Sequence, residues 1–505
     1  MTTGLRRLEF ALLRRDPALW IGASILMLLT AVAAWNGAQR VEAEQAAIDE
    51  STTSTGEAIT RLRAEAATYE AQTAGHVAGG ATIDLHGPAA AAPVGAPAAS
   101  PRPAPPPPAV SAGTVGIRTL NGIAALPPAP LAALAVGLSD VQPGVIKATA
   151  RPPHTFLTTY ELDNPLNLAA GSFDFAFVAV FLLPIVILAI SFDLVAGDRT
   201  SGTLVLTLAQ PSPPSRFLGA RVVVRAGAVA ALCVAVWLVA LLAGGIDLTV
   251  DGAWSSALLL LVVLVAYAMT WFAVALAINA WARTAAACGV ALAALWILFV
   301  VVAPAGVSLA TSLASPAPSR LALTAETREA AQSAEQDAAR SLQEFYFDHP
   351  EAGPQQAGGP DAFFVRILAT DRATAEAIEP TLQRFQSAKA QRQRLVEGLR
   401  FLSPALVAQL AIEDLTGRSG ERYATFEADL RAFHTEWSQF FIRRILSGGR
   451  MTAVDYDGLP RFVPSEAIPG AMLWRSAFGS AALLGLAALL MAVAFRRMAR
   501  LDRTI

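Results

Sequence analysis

Long apolar stretches alternate with polar segments along the 505-residue chain. Six of them hold the roughly 20 residues that an α-helix needs to cross a bilayer. These stretches are residues 17–36, 173–195, 217–243, 255–279, 285–310 and 469–495. The pattern predicts an all-α integral membrane protein with six transmembrane helices.

Composition agrees with membrane spans rather than with one large soluble core. Charged residues make up 15% of the chain, whereas a soluble domain carries about a quarter. The formal net charge is −2, so there is no electrostatic argument for a nucleic-acid partner. Both cysteines, Cys233 and Cys288, fall inside apolar stretches, where we expect buried, unreactive thiols and no disulfide.

Residues 1–16 have the pattern of an amphipathic helix at the membrane surface. The apolar side would carry Leu5, Leu8, Phe10 and Leu12. The polar side would carry Arg6, Arg7, Arg14 and Arg15. Asp16 and Pro17 end this helix and begin the first span. A cleaved signal peptide is the alternative, because a basic start precedes an apolar stretch with small residues at 31–34; the length of the amphipathic part favours the interfacial helix.

The arginines predict the orientation. They cluster before span one, between spans two and three, between spans four and five, and after span six. The turn between spans three and four carries Asp247 and Asp251 instead. Because cytoplasmic flanks are enriched in Arg and Lys, all basic flanks lie in the cytoplasm if both termini do. The loop 196–216 and the tail 496–505 are then cytoplasmic.

Two large segments, 37–172 and 311–468, are external in this topology. In the first, residues 39–73 should continue span one as a helix that ends at 75–80. The Pro-rich tract 88–110 predicts an extended linker, and residues 111–153 predict short strands or loops. We therefore expect mostly helical external segments with minor β structure.

In the second segment, helices are predicted at 319–347, 371–401 and 421–446. Their aromatic residues either line a core or bind an apolar ligand, and a core is the commoner use of such a pattern. They are Phe345, Tyr346, Phe347, Phe385, Phe401, Phe426, Phe433, Trp437, Phe440 and Phe441. One such bundle buries little core, so we expect it to pack against the first external segment or a second subunit.

No catalytic constellation is evident in the sequence. The five histidines form no H-E-x-x-H motif, and no G-x-S-x-G is present. Neither lysine, Lys147 or Lys389, follows a P-loop glycine pattern. We expect a chain that is not an enzyme, binds no metal and does not itself hydrolyse ATP. Asp174 and Asp193 fall at the ends of span two, and Asn279 ends span four as a candidate helix cap.

The gap between spans two and three carries the most informative motif. Residues 198–204 read D-R-T-S-G-T-L, and a Pro-rich element with Ser-Arg follows. This resembles the ABC-2 family of transporter permeases, which show an acidic residue, three variable positions and Gly-Thr-Leu, then Pro-x-Ser-Arg. The matching residues are Asp198, Gly202, Thr203, Leu204, Pro211 and Arg216. Pro213 and Pro214 look like a small insertion, and Gly219 and Arg221 fall near the family's Gly-Lys.

The layout resembles the permease subgroup with a large external domain called DUF3526. Residues 402–404, 413–426, 437–441 and 455–462 resemble the C-terminal part of that domain. The resemblance covers most of the chain except the Pro-rich tract.

The resemblance implies a permease subunit in a bacterial inner membrane. A separate ATP-binding subunit, present in two copies, would bind ATP and Mg²⁺. A second permease half would complete the transporter, as a homodimer or a paired relative. Loop 196–216 would dock on the ATP-binding subunit, with Asp198, Arg199 and Arg216 making charged contacts. Gly202 and Pro211 would delimit the rigid element that includes Thr203 and Leu204.

Two alternatives stay open. The spans could relay force to the external helices, which act on a periplasmic protein or lipoprotein without a conduit. The chain could instead be a membrane scaffold or sensor that needs no ATP. The sequence does not identify a substrate or a transport direction.

Overall fold

The computed structural model of the chain describes residues 2–78, 106–137, 142–157, 173–202, 214–316, 319–350, 362–465 and 470–501. Its main helices are α1 (Thr2–Arg14), α2 (Pro17–Ala78), α3 (Phe175–Ala189), α4 (Ala196–Thr200), α5 (Pro214–Ala243), α6 (Ala253–Trp281), α7 (Ala285–Ala314), α8 (Arg320–Gln336), α9 (Ala338–Asp348), α10 (Ala362–Leu399), α11 (Pro404–Leu415), α12 (Gly420–Ser447) and α13 (Gly470–Leu501). Short helical turns lie at Pro108–Val110, Ala112–Thr114, Val115–Thr119, Ala132–Leu134, His154–Leu157 and Arg400–Leu402.

The described strands form one small antiparallel pair. Strand β1 (Gly122–Ala125) pairs with β2 (Val145–Ala148), and Gly122 lies opposite Ala148. The prediction of minor β structure between 111 and 153 is therefore confirmed. Of the predicted Pro-rich linker, residues 88–105 lie outside the described residues. The extended prediction is wrong for its end, because Pro108–Val110 forms a short 3-10 helix and buries Ala109 and Val110 in a hydrophobic core.

Five helices are long and apolar enough to cross a membrane: α2, α5, α6, α7 and α13. Large apolar side chains cover their outer surfaces; Leu242 is 81% exposed, and Val290 and Leu313 are each 73% exposed. Soluble proteins rarely expose apolar patches of that extent. The helices and their surfaces together indicate a membrane protein.

The second predicted span, 173–195, does not form one membrane-length helix. The shorter apolar helix α3 ends at Ala189, so at about 1.5 Å per residue it is ~22 Å long, short of the ~30 Å hydrocarbon core. Within it, Val178–Leu182 is wound as a π-helix. The chain then turns before α4, and side chains bond carbonyl groups of this turn: Arg225 bonds that of Ile190 and Arg221 that of Leu194.

Helix α2 continues far beyond its apolar part, as the sequence predicted. It runs unbroken for 62 residues, about 93 Å at 1.5 Å per residue. Leu26 and Ala33 are buried in one hydrophobic core, whereas Leu62 and Ala66 are buried in another. A single rigid element therefore connects the two cores.

The first core lies among the membrane-length helices, with α3 and α11 packed between them. The second core joins the end of α2, the β1–β2 segment, α9, α10 and α12. The predicted packing of segments 37–172 and 311–468 against each other is thus confirmed. Five predicted core aromatics are buried there: Phe345, Phe426, Phe433, Trp437 and Phe441. The core prediction is wrong for Phe347 and Phe401, which are 86% and 48% exposed.

Helix boundaries in the second segment differ from the prediction at three places. Residues 319–347 form two helices, because the chain breaks at Asp337 between α8 and α9. Helix α10 begins at Ala362, nine residues before its predicted start. Helix α11 was not predicted; it begins after Ser403, whose hydroxyl caps it by accepting from the N–H of Ala405 at 3.1 Å.

Candidate functional site

Helix α4, which carries the start of the D-R-T-S-G-T-L motif, is capped by a buried amide from another helix. Asn279, at the end of α6, has no exposed surface. Its Oδ1 accepts from the N–H groups of Val195 at 3.0 Å and Ala196 at 3.1 Å. Its Nδ2 donates to the carbonyl oxygens of Ser191 at 3.0 Å and Ala275 at 2.9 Å. The side chain therefore fixes where α4 begins relative to α6.

Arg199 makes a second attachment between α4 and the end of α6. Its guanidinium donates to the carbonyl oxygens of Asn279 at 3.1 Å and Ala280 at 3.4 Å, and also to that of Ala282. Burial lowers the pKa of Arg199, and the nearby Arg497 acts in the same direction. The guanidinium thus donates hydrogen bonds to carbonyl oxygens that have no intrahelical partner at the end of α6.

The next residue extends this attachment to α7. The Thr200 hydroxyl oxygen accepts from the N–H of Ala285, the first residue of α7, at 3.2 Å. Helix α4 is consequently bonded to both sides of the α6–α7 turn.

Arg221 of α5 connects α4 with the N-terminal helix. It donates to Glu9 Oε1 at 3.0 Å, to Asp198 Oδ2 at 2.6 Å and to the carbonyl oxygen of Leu194 at 2.7 Å. The Glu9 and Arg221 side chains are only 5% and 11% exposed. We call Glu9, Asp198 and Arg221 the arginine junction. It joins α1, α4 and α5 through one partly buried cation.

One helical turn further along α5, Arg225 likewise bonds one carboxylate and one backbone carbonyl, but its ion pair is longer than those of Arg221. Its Nη1 lies 3.3 Å from Asp193 Oδ1 and also bonds the carbonyl oxygen of Ile190. Two arginines on one face of α5 therefore hold the turn between α3 and α4. Asp174 and Asp193 were predicted alike at the ends of span two, within reach of water. The Asp193 side chain is indeed 48% exposed, whereas the prediction is wrong for Asp174, which is buried.

The predicted helix at 1–16 is formed and has one unpredicted feature. Of its predicted apolar side, Phe10 lies four residues from both Arg6 and Arg14 and therefore shares their face. Arg6, Arg7, Arg14 and Arg15 are exposed, and so are the apolar Leu8, Phe10 and Leu12. Leu13 is buried, and α1 packs against α5. Glu9 was not identified from the sequence as a candidate site residue. Its spacing of four residues from both Leu5 and Leu13 nevertheless places this carboxylate on the same helix face as those leucines.

The remaining motif residues have different outcomes. Asp198 and Arg199 were expected to contact a soluble partner, whereas the structure places both side chains in bonds within the chain. Gly202 is exposed, has a φ of +75°, and has no atom within 4 Å of where a Cβ would lie. Arg216 lies in the first turn of α5. Thr203, Leu204 and Pro211 lie outside the described residues.

A second charged cluster lies at the opposite end of the first core. Arg475, near the start of α13, donates to Asp414 Oδ1 at 2.6 Å and Oδ2 at 2.8 Å. It also bonds Glu397 at 3.0 Å and Glu421 at 2.5 Å. One guanidinium thereby joins α13 to α10, α11 and α12.

The neighbouring carboxyl of Glu413 bonds an amide instead of an arginine. It accepts from Gln409 Nε2 at 2.8 Å. Burial raises its pKa to about 7, and the negative charges of Asp414 and Asp174 act in the same direction. Near neutral pH this carboxyl therefore titrates beside the first core, to which the neighbouring Ile412 and Leu415 belong.

Comparison with known families identifies one region. Residues 320–465 match the family model described as a domain of unknown function, DUF3526. The match runs from α8 through the segment that follows α12, and it covers less than a third of the chain. A search of curated proteins found no match. Among the described residues, no three His, Cys, Asp or Glu side chains are grouped as metal ligands.

Proposed function

We propose that this chain is the membrane subunit of an ABC-2 type transporter, moved by a separate ATP-binding subunit that acts on α4 and the loop after it. The observation that carries the proposal is the arginine junction. Because Arg221 bonds Glu9 and Asp198, a displacement of α4 is passed to α1 and α5. Because Arg199 and Thr200 bond the α6–α7 turn, the same displacement reaches α6 and α7.

The charge pattern supports a docking surface beside this junction. The exposed loop at Gly202 follows α4 directly, and α1 presents four exposed arginines next to exposed apolar residues. This combination suits a helix at a membrane surface. We infer that both termini and α4 face the cytoplasm of a bacterium, that ATP and Mg²⁺ bind the partner subunit in two copies, and that a second permease half completes the assembly.

A second candidate function is force transmission without a conduit, and α2 favours it. This helix is continuous between both cores, and it is tied to the DUF3526 side by charged contacts. Arg63 pairs with Asp457 at 2.9 Å, and Glu44 pairs with Arg418 at 2.9 Å. Movement of the membrane-length helices would then tilt the second core and act on a partner bound there.

The test uses the chain co-expressed and co-purified with a candidate ATP-binding subunit from the same genome. Gly202→Val places a β-branched residue at a positive φ, which strains the loop. Gly252→Val is the matched control, because Gly252 has a φ of +78°, is exposed and has equally open surroundings in the α5–α6 turn. We expect Gly202→Val to lower the ATPase activity of the complex or its association at least several-fold, and Gly252→Val to leave both nearly unchanged.

Two results would overturn the proposal. If the two proteins never associate, the motif is an ordinary polar turn and the ATP-independent scaffold becomes the better account. If both glycine variants lose activity equally, the defect is general strain and the α4 loop has no special role.

A further inference from the structure

A cleft on the second-core side of the molecule has the charge of an anion site. It lies between α2, the chain flanking β1 and β2, and the turn between α11 and α12, and its volume is about 290 Å³. That is close to the lower end of small-ligand pockets, about 300–1,000 Å³. Its charged lining residues are Glu44, Arg418 and Arg422, and its apolar walls include Ile48 and Leu126.

Arg422 is the unusual member of this lining. It is only 5% exposed, and in the described part of the chain no carboxylate lies within ion-pair distance of it. Its Nη1 donates to the carbonyl oxygen of Gly417 at 3.0 Å and its Nη2 to that of Pro127 at 2.6 Å. Its Nε is buried without a hydrogen-bond partner.

The charges in the cleft do not balance. Arg418 is neutralised by Glu44 at 2.9 Å, so Arg422 leaves the lining with one excess positive charge. Burial, reinforced by the charge of Arg418, lowers the pKa of Arg422 to about 10, so it is still a cation at neutral pH. Glu44 raises the pKa of Arg422 against these effects, but it is paired with Arg418, so the buried Arg422 is only partly compensated. Such a cation is costly, and an anion in the cleft would reduce that cost.

The position of the cleft indicates which anions can reach it. Glu44 follows the predicted apolar part of α2, 17–36, by eight residues, or about 12 Å along the helix. The hydrocarbon core is ~30 Å thick and each headgroup region adds only about 5–7 Å, so the cleft lies just beyond the headgroups, within reach of soluble anions and close to the lipid surface. Ile48 and Leu126 give the cleft an apolar wall beside its cations.

We propose that this cleft binds a phosphate-type anion, whose source is either the headgroup of an acidic phospholipid, which the apolar wall would suit, or a soluble phosphate, which the distance from the hydrocarbon core would suit. Free phosphate has the same anionic chemistry without an apolar body. The inference does not depend on an ATP-binding partner, so it can hold or fail independently of the transporter proposal.

The binding test uses the full chain in neutral detergent and isothermal titration calorimetry. The probes are dihexanoyl phosphatidylglycerol, dihexanoyl phosphatidylcholine as a neutral lipid with equal chains, and inorganic phosphate. We expect the anionic lipid to bind at least tenfold more tightly than the neutral one. Arg422→Gln should weaken binding about tenfold, because it removes the excess charge. Arg431→Gln is the control, since Arg431 is exposed on the same helix outside the cleft.

Two further variants separate binding from folding. Glu44→Gln frees Arg418 and should tighten anion binding about tenfold, a gain that a damaged fold would not give. Ala47→Trp fills the cleft from the exposed face of α2 and should abolish lipid binding, whereas Ala46→Trp, outside the lining, should not.

The outcomes decide the source and the site. Lipid binding that follows this pattern of variants supports a headgroup site. Phosphate binding with the same pattern, and no preference for the anionic lipid, supports the anion site with a soluble source. If neither probe binds, or if Arg422→Gln and Glu44→Gln leave binding unchanged, the proposal is overturned.

Discussion

Removing Arg221 should destabilise the chain far more than removing either of its acidic partners. In Arg221→Met the Glu9 carboxylate, 5% exposed, loses the cation 3.0 Å away. Breaking a buried ion pair from one side costs about 3–5 kcal/mol. In Glu9→Leu, by contrast, Arg221 keeps Asp198 at 2.6 Å and the Leu194 carbonyl at 2.7 Å, so we expect a cost of about 1–2 kcal/mol.

The double variant measures the coupling free energy between Glu9 and Arg221 directly. With Glu9→Leu and Arg221→Met together, the most buried charges of the junction are both removed, and apolar side chains replace them. We expect the combined cost to fall below the sum of the single costs by about 2–3 kcal/mol. Arg283→Met, at an exposed position of the α6–α7 turn, is the charge-matched control and should change stability by less than ~0.5 kcal/mol.

The chain contains its own probe for this assay. Both of its cysteines, Cys233 and Cys288, are buried with no exposed surface. Labelling with a thiol-reactive dye along a denaturing-detergent titration therefore reports opening of the helices around them. If the single costs of Glu9→Leu and Arg221→Met simply add in the double variant, the two residues do not act as one unit and the reasoning about the arginine junction is refuted.

Three more predictions follow from buried polar groups, each checked by the same thiol-labelling titration. Asn279→Ala should cost about 2–3 kcal/mol because the Val195 and Ala196 N–H groups lose their acceptor; an effect below ~0.5 kcal/mol would contradict the capping role. Arg475→Met should cost about 3–5 kcal/mol, since Asp414 is left buried and unpaired, and an Arg475→Met chain as stable as wild type would contradict it. The pKa of Glu413, raised to about 7, lies above its unfolded value, so its contribution is present below pH ~4.5 and lost as pH rises through 7. Between pH 5 and 8 the wild type should lose about 2 kcal/mol relative to Glu413→Gln, and parallel pH profiles would contradict this.

Features set by local sequence were predictable. The break at Asp16 and Pro17 follows from proline chemistry alone, and α1 ends at Arg14 before α2 starts at Pro17. The continuation of α2 beyond its apolar part followed from its helix-forming composition. The DUF3526 assignment followed from short motifs in the second segment, and the family match contains them.

Features set by distant partners were not predictable from one sequence. Glu9 and Arg221 are 212 positions apart, and no local pattern links them. The shortness of α3 could not be read from its apolar run of residues, because the turn after it depends on Arg221, Arg225 and Asn279 bonding its backbone. The burial of Arg422 is likewise not visible in the sequence, because it depends on the turn at Gly417 and the loop at Pro127, which cover the side chain only in the folded chain.

Site-specific cross-linking from the α4 loop tests the central claim most directly. In a chain with both native cysteines replaced, Ser201→Cys carries a photo-cross-linker beside α4, and Asp251→Cys carries it in the α5–α6 turn at the opposite end of the bundle; both positions are exposed. We predict that the Ser201 position captures the ATP-binding subunit in membranes that contain both proteins, and that the Asp251 position does not. Equal capture from both positions, or no capture from Ser201, would contradict the account.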